Sequence, residues 1–296
     1  MLCPRRCGVD RFVRTGVCGA NDTLRVGRAA LHWWEEPCLV GDRGSGAVFF
    51  AHCALGCVYC QNKRLAEGEG VEITQERLRE ILLELQNEQR AANINLVTAS
   101  QYAPSVAEVL RELRASGALH IPVVWNTSGY ESAQTLALLE GLVDIYLVDF
   151  KYSNPTTAQR LSRASDYVGV ALAAIEQMIE QTGAPRSSKE GYLERGVIVR
   201  HLVLPGYVDD SLAALDLLYP RIRGRALLSI MNQFTIVDET LDVRAYGLER
   251  AVSDEAYERV LDHADELGFE DYFWQEGGAA SESFVPAFDG TGVLVP

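Results

Sequence analysis

Three cysteines, Cys53, Cys57 and Cys60, stand in a C-x3-C-x2-C run. Thiols this close together can turn toward one inorganic centre. A cubane iron–sulfur cluster ordinarily takes four protein thiolates. With three, one iron keeps an open position where a substrate or cofactor can bind. The competing reading is structural zinc, with His52 or a distant residue, Cys38 included, as fourth ligand. Zinc sites usually carry two separated C-x2–4-C pairs, and no cysteine follows Cys60.

All seven cysteines fall in the first 60 of 296 residues. The odd count, the length of the chain and an N-terminus with no apolar core behind Arg5 and Arg6 argue against a disulfide scaffold or a secretory leader. A cytoplasmic protein is expected. The other four, Cys3, Cys7, Cys18 and Cys38, occupy a stretch too poor in apolar residues to build its own core. A second site, zinc or an auxiliary iron–sulfur cluster, could hold that stretch together. The alternative is that some of them are small buried residues.

The elements that must position the thiols follow from hydrophobic periodicity. Strands are expected at 47–51, 94–98, 123–126, 145–149, 197–204 and 226–231, with a short one at 271–275. Helices are expected after Thr74, from Pro104, over 132–140, as one or two over 155–181, over 211–219 and from Ser253 to Leu267. Six strands joined by helical crossovers imply a parallel sheet, because parallel neighbours need long connections. Such a sheet is either open and doubly wound or a curved, partly closed barrel.

In parallel α/β barrels, function collects at the carboxyl ends of the strands. The first strand ends in the cysteine loop. The others run into Thr98 to Gln101, Asn126 to Ser128, Asp149 to Lys151, Arg200-His201 and Met231 to Gln233. Asp149 and Lys151 are two apart and share a face; Arg200 and His201 are neighbours and cannot. Asp149 and Lys151 could pair with each other or hold the two charged groups of an amino-acid moiety. Residues 1–45 form a Cys-rich extension with little periodicity, 46–275 the barrel, and 276–296 a Gly-rich tail or lid with isolated Phe284 and Phe288.

A net charge of −14 disfavours phosphate backbones, so no nucleic-acid partner is expected. No apolar run reaches eighteen residues, so no membrane-spanning helix is expected.

The run Cys53-Ala54-Leu55-Gly56-Cys57-Val58-Tyr59-Cys60 resembles the C-x3-C-x-aromatic-C signature of the radical S-adenosylmethionine superfamily. The wider chain is similar to an uncharacterised branch related to pyruvate formate-lyase activating enzymes. Arg28 to His32, Gly44 to Gly46, Cys60 to Asn62, Asn126 to Tyr130, Asp149 to Lys151 and Arg200 to Gly206 carry that likeness. The resemblance implies a partial (β/α)6 TIM-like barrel with an irregular Cys-rich N-terminal segment. It implies a [4Fe-4S] cluster on Cys53, Cys57 and Cys60, whose open iron chelates S-adenosylmethionine. Electron transfer would then yield a 5′-deoxyadenosyl radical that abstracts hydrogen from a substrate. Thr98, Ser100, Asn126, Asp149, Lys151, Arg200 and His201 are the expected cofactor-binding residues. A flavodoxin or ferredoxin would supply the electron. The substrate would be a backbone glycine of a glycyl radical enzyme, or else a small molecule or another peptide. Many relatives carry Gly-Gly-Glu after the second strand; here Thr98-Ala99-Ser100-Gln101 stands instead, with no carboxylate. Outside enzymology, the remaining reading is a non-catalytic, metal-stabilised binding module.

Overall fold

A computed structural model describes residues 2–235, 243–275 and 286–294. In chain order its strands are β1 (Leu24–His32), β2 (Ser45–Phe50), β3 (Val71–Ile73), β4 (Ile94–Val97), β5 (Val123–Thr127), β6 (Ile145–Asp149), β7 (Arg186–Ser187), β8 (Leu193–Leu202), β9 (Leu227–Met231) and β10 (Phe273–Trp274). The α-helices are α1 (Pro37–Val40), α2 (Lys63–Ala66), α3 (Gln75–Asn87), α4 (Ala103–Ala115), α5 (Ala133–Leu139), α6 (Pro155–Ser162), α7 (Tyr167–Thr182), α8 (Val208–Ile222) and α9 (Asp254–Leu267).

One sheet runs in the order β10-β9-β8-β6-β5-β4-β2-β1-β3, with β7 paired to β8 off that path. From β2 to β10 along that order every pairing is parallel. Strands β1 and β3 extend the β2 edge in antiparallel fashion. The result is the expected partial barrel, with helices α3 to α9 outside it.

Helix starts follow local chemistry. Thr74 accepts the backbone N–H of Arg77, Ser132 that of Thr135 and Ser253 that of Ala256, each satisfying an otherwise orphaned donor. The span 155–181 divides into two helices at Arg163, which closes α6 in the left-handed region at φ 53°.

Period-two alternation sorts the strand residues. Trp125, Tyr146, Val148, Val197 and Val199 face the helices in the main core. Val124, Leu147 and Ile198 face the lumen, where they pack with Leu39 of α1. Two residues further along the same strands come Asn126, Asp149 and Arg200. The lumen is thus apolar at its floor and polar toward the carboxyl ends of the strands.

The first 45 residues hold more order than their composition suggests. β1 is a nine-residue strand within them. Its pairing shifts between Val26 and Arg28, and the bulge breaks the alternation by which a strand is read from sequence. After β1 the chain turns into the barrel, and α1 plugs the lumen from below. Residues 286–294 return along β1: Ala29 donates to the Thr291 carbonyl at 2.9 Å, Gly290 to that of Gly27 at 3.0 Å, and Val293 is fully buried. Phe288 packs on Phe49. Phe284, like the rest of 276–285, lies outside the described residues.

Candidate active site

The loop after β2 places Cys53, Cys57 and Cys60 on the wall of a cavity of about 300 Å³ at the carboxyl end of the barrel. Side chains from distant parts of the chain fix this loop. Arg5 donates to the carbonyls of Ala54 (2.8 Å), Leu55 (2.9 Å) and Ser162 (3.0 Å), and its guanidinium lies over the Tyr130 ring. Gln101 gives its amide N–H groups to Ala51, His52 and Thr98 carbonyls at 2.7–3.0 Å. His52 and Thr98 both adopt positive φ, 71° and 59°, beside the thiols. Such backbone costs on the order of 1–3 kcal/mol and persists where its surroundings impose it.

The donor set fits a metal cluster. Burial pushes the Cys53 thiol up, and neighbouring Cys57 adds to it. Burial, Cys57 and Cys53 push Cys60 up to about 12. Thiols that resist ionisation this way become thiolates when a cationic centre compensates them. Cys57 Sγ accepts the Ser162 hydroxyl at 3.0 Å, and Cys53 Sγ the Leu55 N–H at 3.4 Å. Among the described residues no three His, Cys, Asp or Glu side chains are grouped so as to hold a single metal ion.

Beside the thiols lies a charged network. Asp149 accepts Lys151 Nζ at 2.7 Å and Arg200 Nε at 2.9 Å. Arg200 reaches on to Glu35 at 3.0 Å and to the Asn126 side-chain carbonyl at 2.8 Å. Glu35 also accepts the amides of Asn95 (2.8 Å) and Asn126 (3.1 Å). Register explains the contact: Asp149 and Arg200 are direct partners across β6 and β8. Burial alone would raise Asp149, but Lys151 and Arg200 outweigh it and hold the carboxyl below its usual range. Burial pulls Lys151 down and Asp149 more than restores it.

The structure brings Thr98, Asn126, Asp149, Lys151 and Arg200 onto the cavity wall with the cysteines. It does not bring Ser100 or His201 there. Ser100 is turned toward Glu131, which also accepts Thr127 Oγ1 at 2.7 Å and Trp125 Nε1 at 3.1 Å. His201 sits on the outer face of β8, buried, with Nδ1 against the Phe150 carbonyl at 2.7 Å. Burial lowers its pKa.

Among the cavity residues that the sequence reading did not single out are Glu35 and Glu36. An acidic pair in a non-periodic stretch reads as solvated. The usable signal was Trp33-Trp34 before it and Pro37 after it, an apolar frame for two charges.

The leader cysteines separate. Cys7 and Cys18 sulfurs both flank Gly16, at 3.3 and 3.5 Å from where its Cβ would stand. Cys3 is near enough to feel both. The N–H groups of Val17 and Val9 lower the Cys7 thiol. Cys38 lies elsewhere, on α1 among the lumen-floor residues, where burial raises its thiol to about 12.

Residues 48–218 match the family model described as the Radical SAM superfamily, more than half of the chain. The chain belongs to that superfamily. It is 26% identical over 244 residues to an uncharacterised protein of Methanocaldococcus jannaschii, MJ0674, covering 79% of this chain. It spans 65% of that relative's length. A radical SAM methyltransferase from Sphaerobacter thermophilus has a similar fold, with a TM-score of 0.55 at 13% identity, over 80% of this chain and 68% of that one. A domain of a pyruvate-formate lyase-activating enzyme from Bacteroides vulgatus aligns with a TM-score of 0.42 at 12% identity, over 60% of this chain and 92% of that one.

Proposed function

We propose that this chain binds a [4Fe-4S] cluster on Cys53, Cys57 and Cys60 and uses S-adenosylmethionine to abstract hydrogen from a substrate. The observation that carries the reading is that the three thiols and the Asp149–Lys151–Arg200 network line one cavity. When bound and reduced, the cluster supplies the electron that splits the sulfonium into methionine and a 5′-deoxyadenosyl radical. The chain's own residues do the positioning. Asp149 offers an acceptor to the cofactor's ammonium group, and Lys151 and Arg200 offer donors to its carboxylate. Thr98 and Asn126 present polar groups to the adenosyl moiety. Phe49, Val97, Leu202 and Met231 keep the cavity apolar between these contacts and exclude water from a reactive species. Ser100 and His201 act from behind the wall, through Glu131 and the Phe150 carbonyl.

The plug at the lumen floor favours a small molecule, or a single residue reaching in from the rim, over a polymer threaded through the barrel. A backbone glycine of a glycyl radical enzyme is the rim-entering candidate. An electron paramagnetic resonance search for a glycyl radical after incubation with such a partner tests it. A flavodoxin or ferredoxin is the proposed electron source. The reaction itself is tested by anaerobic cluster reconstitution, dithionite reduction and assay for 5′-deoxyadenosine, with Cys57→Ala as the control. We further propose that Cys3, Cys7 and Cys18, without Cys38, hold an auxiliary iron–sulfur cluster, whose several irons do not require the sulfurs to converge on one ion; the Cys7 and Cys18 sulfurs flanking Gly16 and the N–H groups turned on Cys7 support it.

A further inference from the structure

The lumen contains a carboxylate that the chemistry above leaves unused. Glu36 is 7% exposed and lines the cavity, and its Oε2 has no hydrogen-bond partner. Burial pushes this carboxyl up, and Arg200 and the side chain of Ser229, which lies on β9 and shares the cavity wall, oppose that rise. A buried acceptor left unsatisfied is costly, and more so when charged.

The cations near it are engaged by other carboxylates. Asp149 holds Lys151 and one arm of Arg200, and Glu35 holds the other arm. Among the described residues no lysine or arginine forms an ion pair with Glu36. His32, also on this wall, adds no positive charge near neutrality, because burial, helped by Arg28 and Arg200, brings its pKa down to about 4. Of the three carboxylates, Glu36 alone has no ion-pair partner among the described residues, and burial holds its carboxyl above the usual range although Arg200 opposes it. An aliphatic alcohol could fill the hydrogen bond but not the charge. An ammonium group supplies both.

We propose that Glu36 and Ser229 form a substrate subsite that takes the protonated primary amine of a small molecule. Calling that molecule the substrate rests on the radical reading; the subsite itself rests on the cavity. Glu36 directly precedes α1, the plug, and Ser229 lies level with Arg200 across β8 and β9, so the rest of a bound amine would share the cavity with the thiols.

The test uses cluster-loaded full-length protein under anaerobic conditions, titrated calorimetrically with butylamine, butan-1-ol and butyrate. Wild type is expected to bind butylamine at least tenfold more tightly than either isostere. Glu36→Gln is expected to abolish that preference while iron content and S-adenosylmethionine affinity stay unchanged. Equal binding of the three probes, or no saturable binding of butylamine, overturns the proposal. So does a preference that survives Glu36→Gln, or a loss of S-adenosylmethionine affinity in that variant, which would make Glu36 a cofactor contact. If Glu36→Gln does not load the cluster, Ser229→Ala carries the test: butylamine affinity falls severalfold, and unchanged affinity contradicts the subsite. Failure of wild type to cleave S-adenosylmethionine would overturn the radical reading alone, leaving the titrations to decide the subsite.

Discussion

Ser162 is the residue whose effect on the cysteine loop is most direct. It is fully buried at the end of α6, and its hydroxyl reaches Cys57 Sγ at 3.0 Å. Hydrogen bonds to cluster sulfurs draw electron density from the thiolate and raise the reduction potential. Ser162→Ala should therefore shift the cluster's midpoint potential to more negative values by tens of millivolts, read in an anaerobic redox titration followed by electron paramagnetic resonance. An unchanged potential would mean the hydroxyl serves only its neighbour Tyr152, which also contacts it. The sequence announced the three cysteines, through spacing, and Asp149 and Lys151, through strand parity. It could not announce Ser162 or Arg5, because both act across long stretches of chain. Nor could it tell Arg200 from His201. Parity said only that they part; the structure turns Arg200 to the lumen and His201 to the helices.

At the scale of elements, the turn after β5 sets the height of Asp149. Gly129 has φ 78°, and a Cβ there would stand 2.6 Å from the Asp149 carbonyl oxygen. That carbonyl also accepts the Tyr167 hydroxyl, as does the Ser128 carbonyl, both at 2.9 Å. Gly129→Ala is expected to destabilise the fold by about 2 kcal/mol, through left-handed strain and displacement of the β6 end. Chemical denaturation measures it, and an unchanged midpoint would refute the close packing of this turn. The parallel strands and their helices were readable because each is a short apolar run with a polar or capped boundary. β1 was not, since its bulge removes the alternation. α1 was not, since four residues are too few for a helical period.

For the whole molecule, the leader and the barrel work together. Arg5 clamps the cysteine loop, and Arg11 hydrogen-bonds the Gln101 carbonyl, tying the leader to the residue that holds the start of that loop. α1 closes the lumen beneath it. If Cys3, Cys7 and Cys18 bind metal, the leader is itself braced. A variant lacking all three barrel cysteines should then retain the iron of an auxiliary cluster by elemental analysis. Metal-free protein would end that proposal without touching the barrel site. The barrel site's account rests on one reaction. The direct measurement is 5′-deoxyadenosine formed from S-adenosylmethionine by reconstituted, dithionite-reduced protein. The account predicts product from wild type and none from Cys57→Ala. Equal, negligible yields with the wild-type cluster intact would contradict it and leave a metal-stabilised binding module in its place.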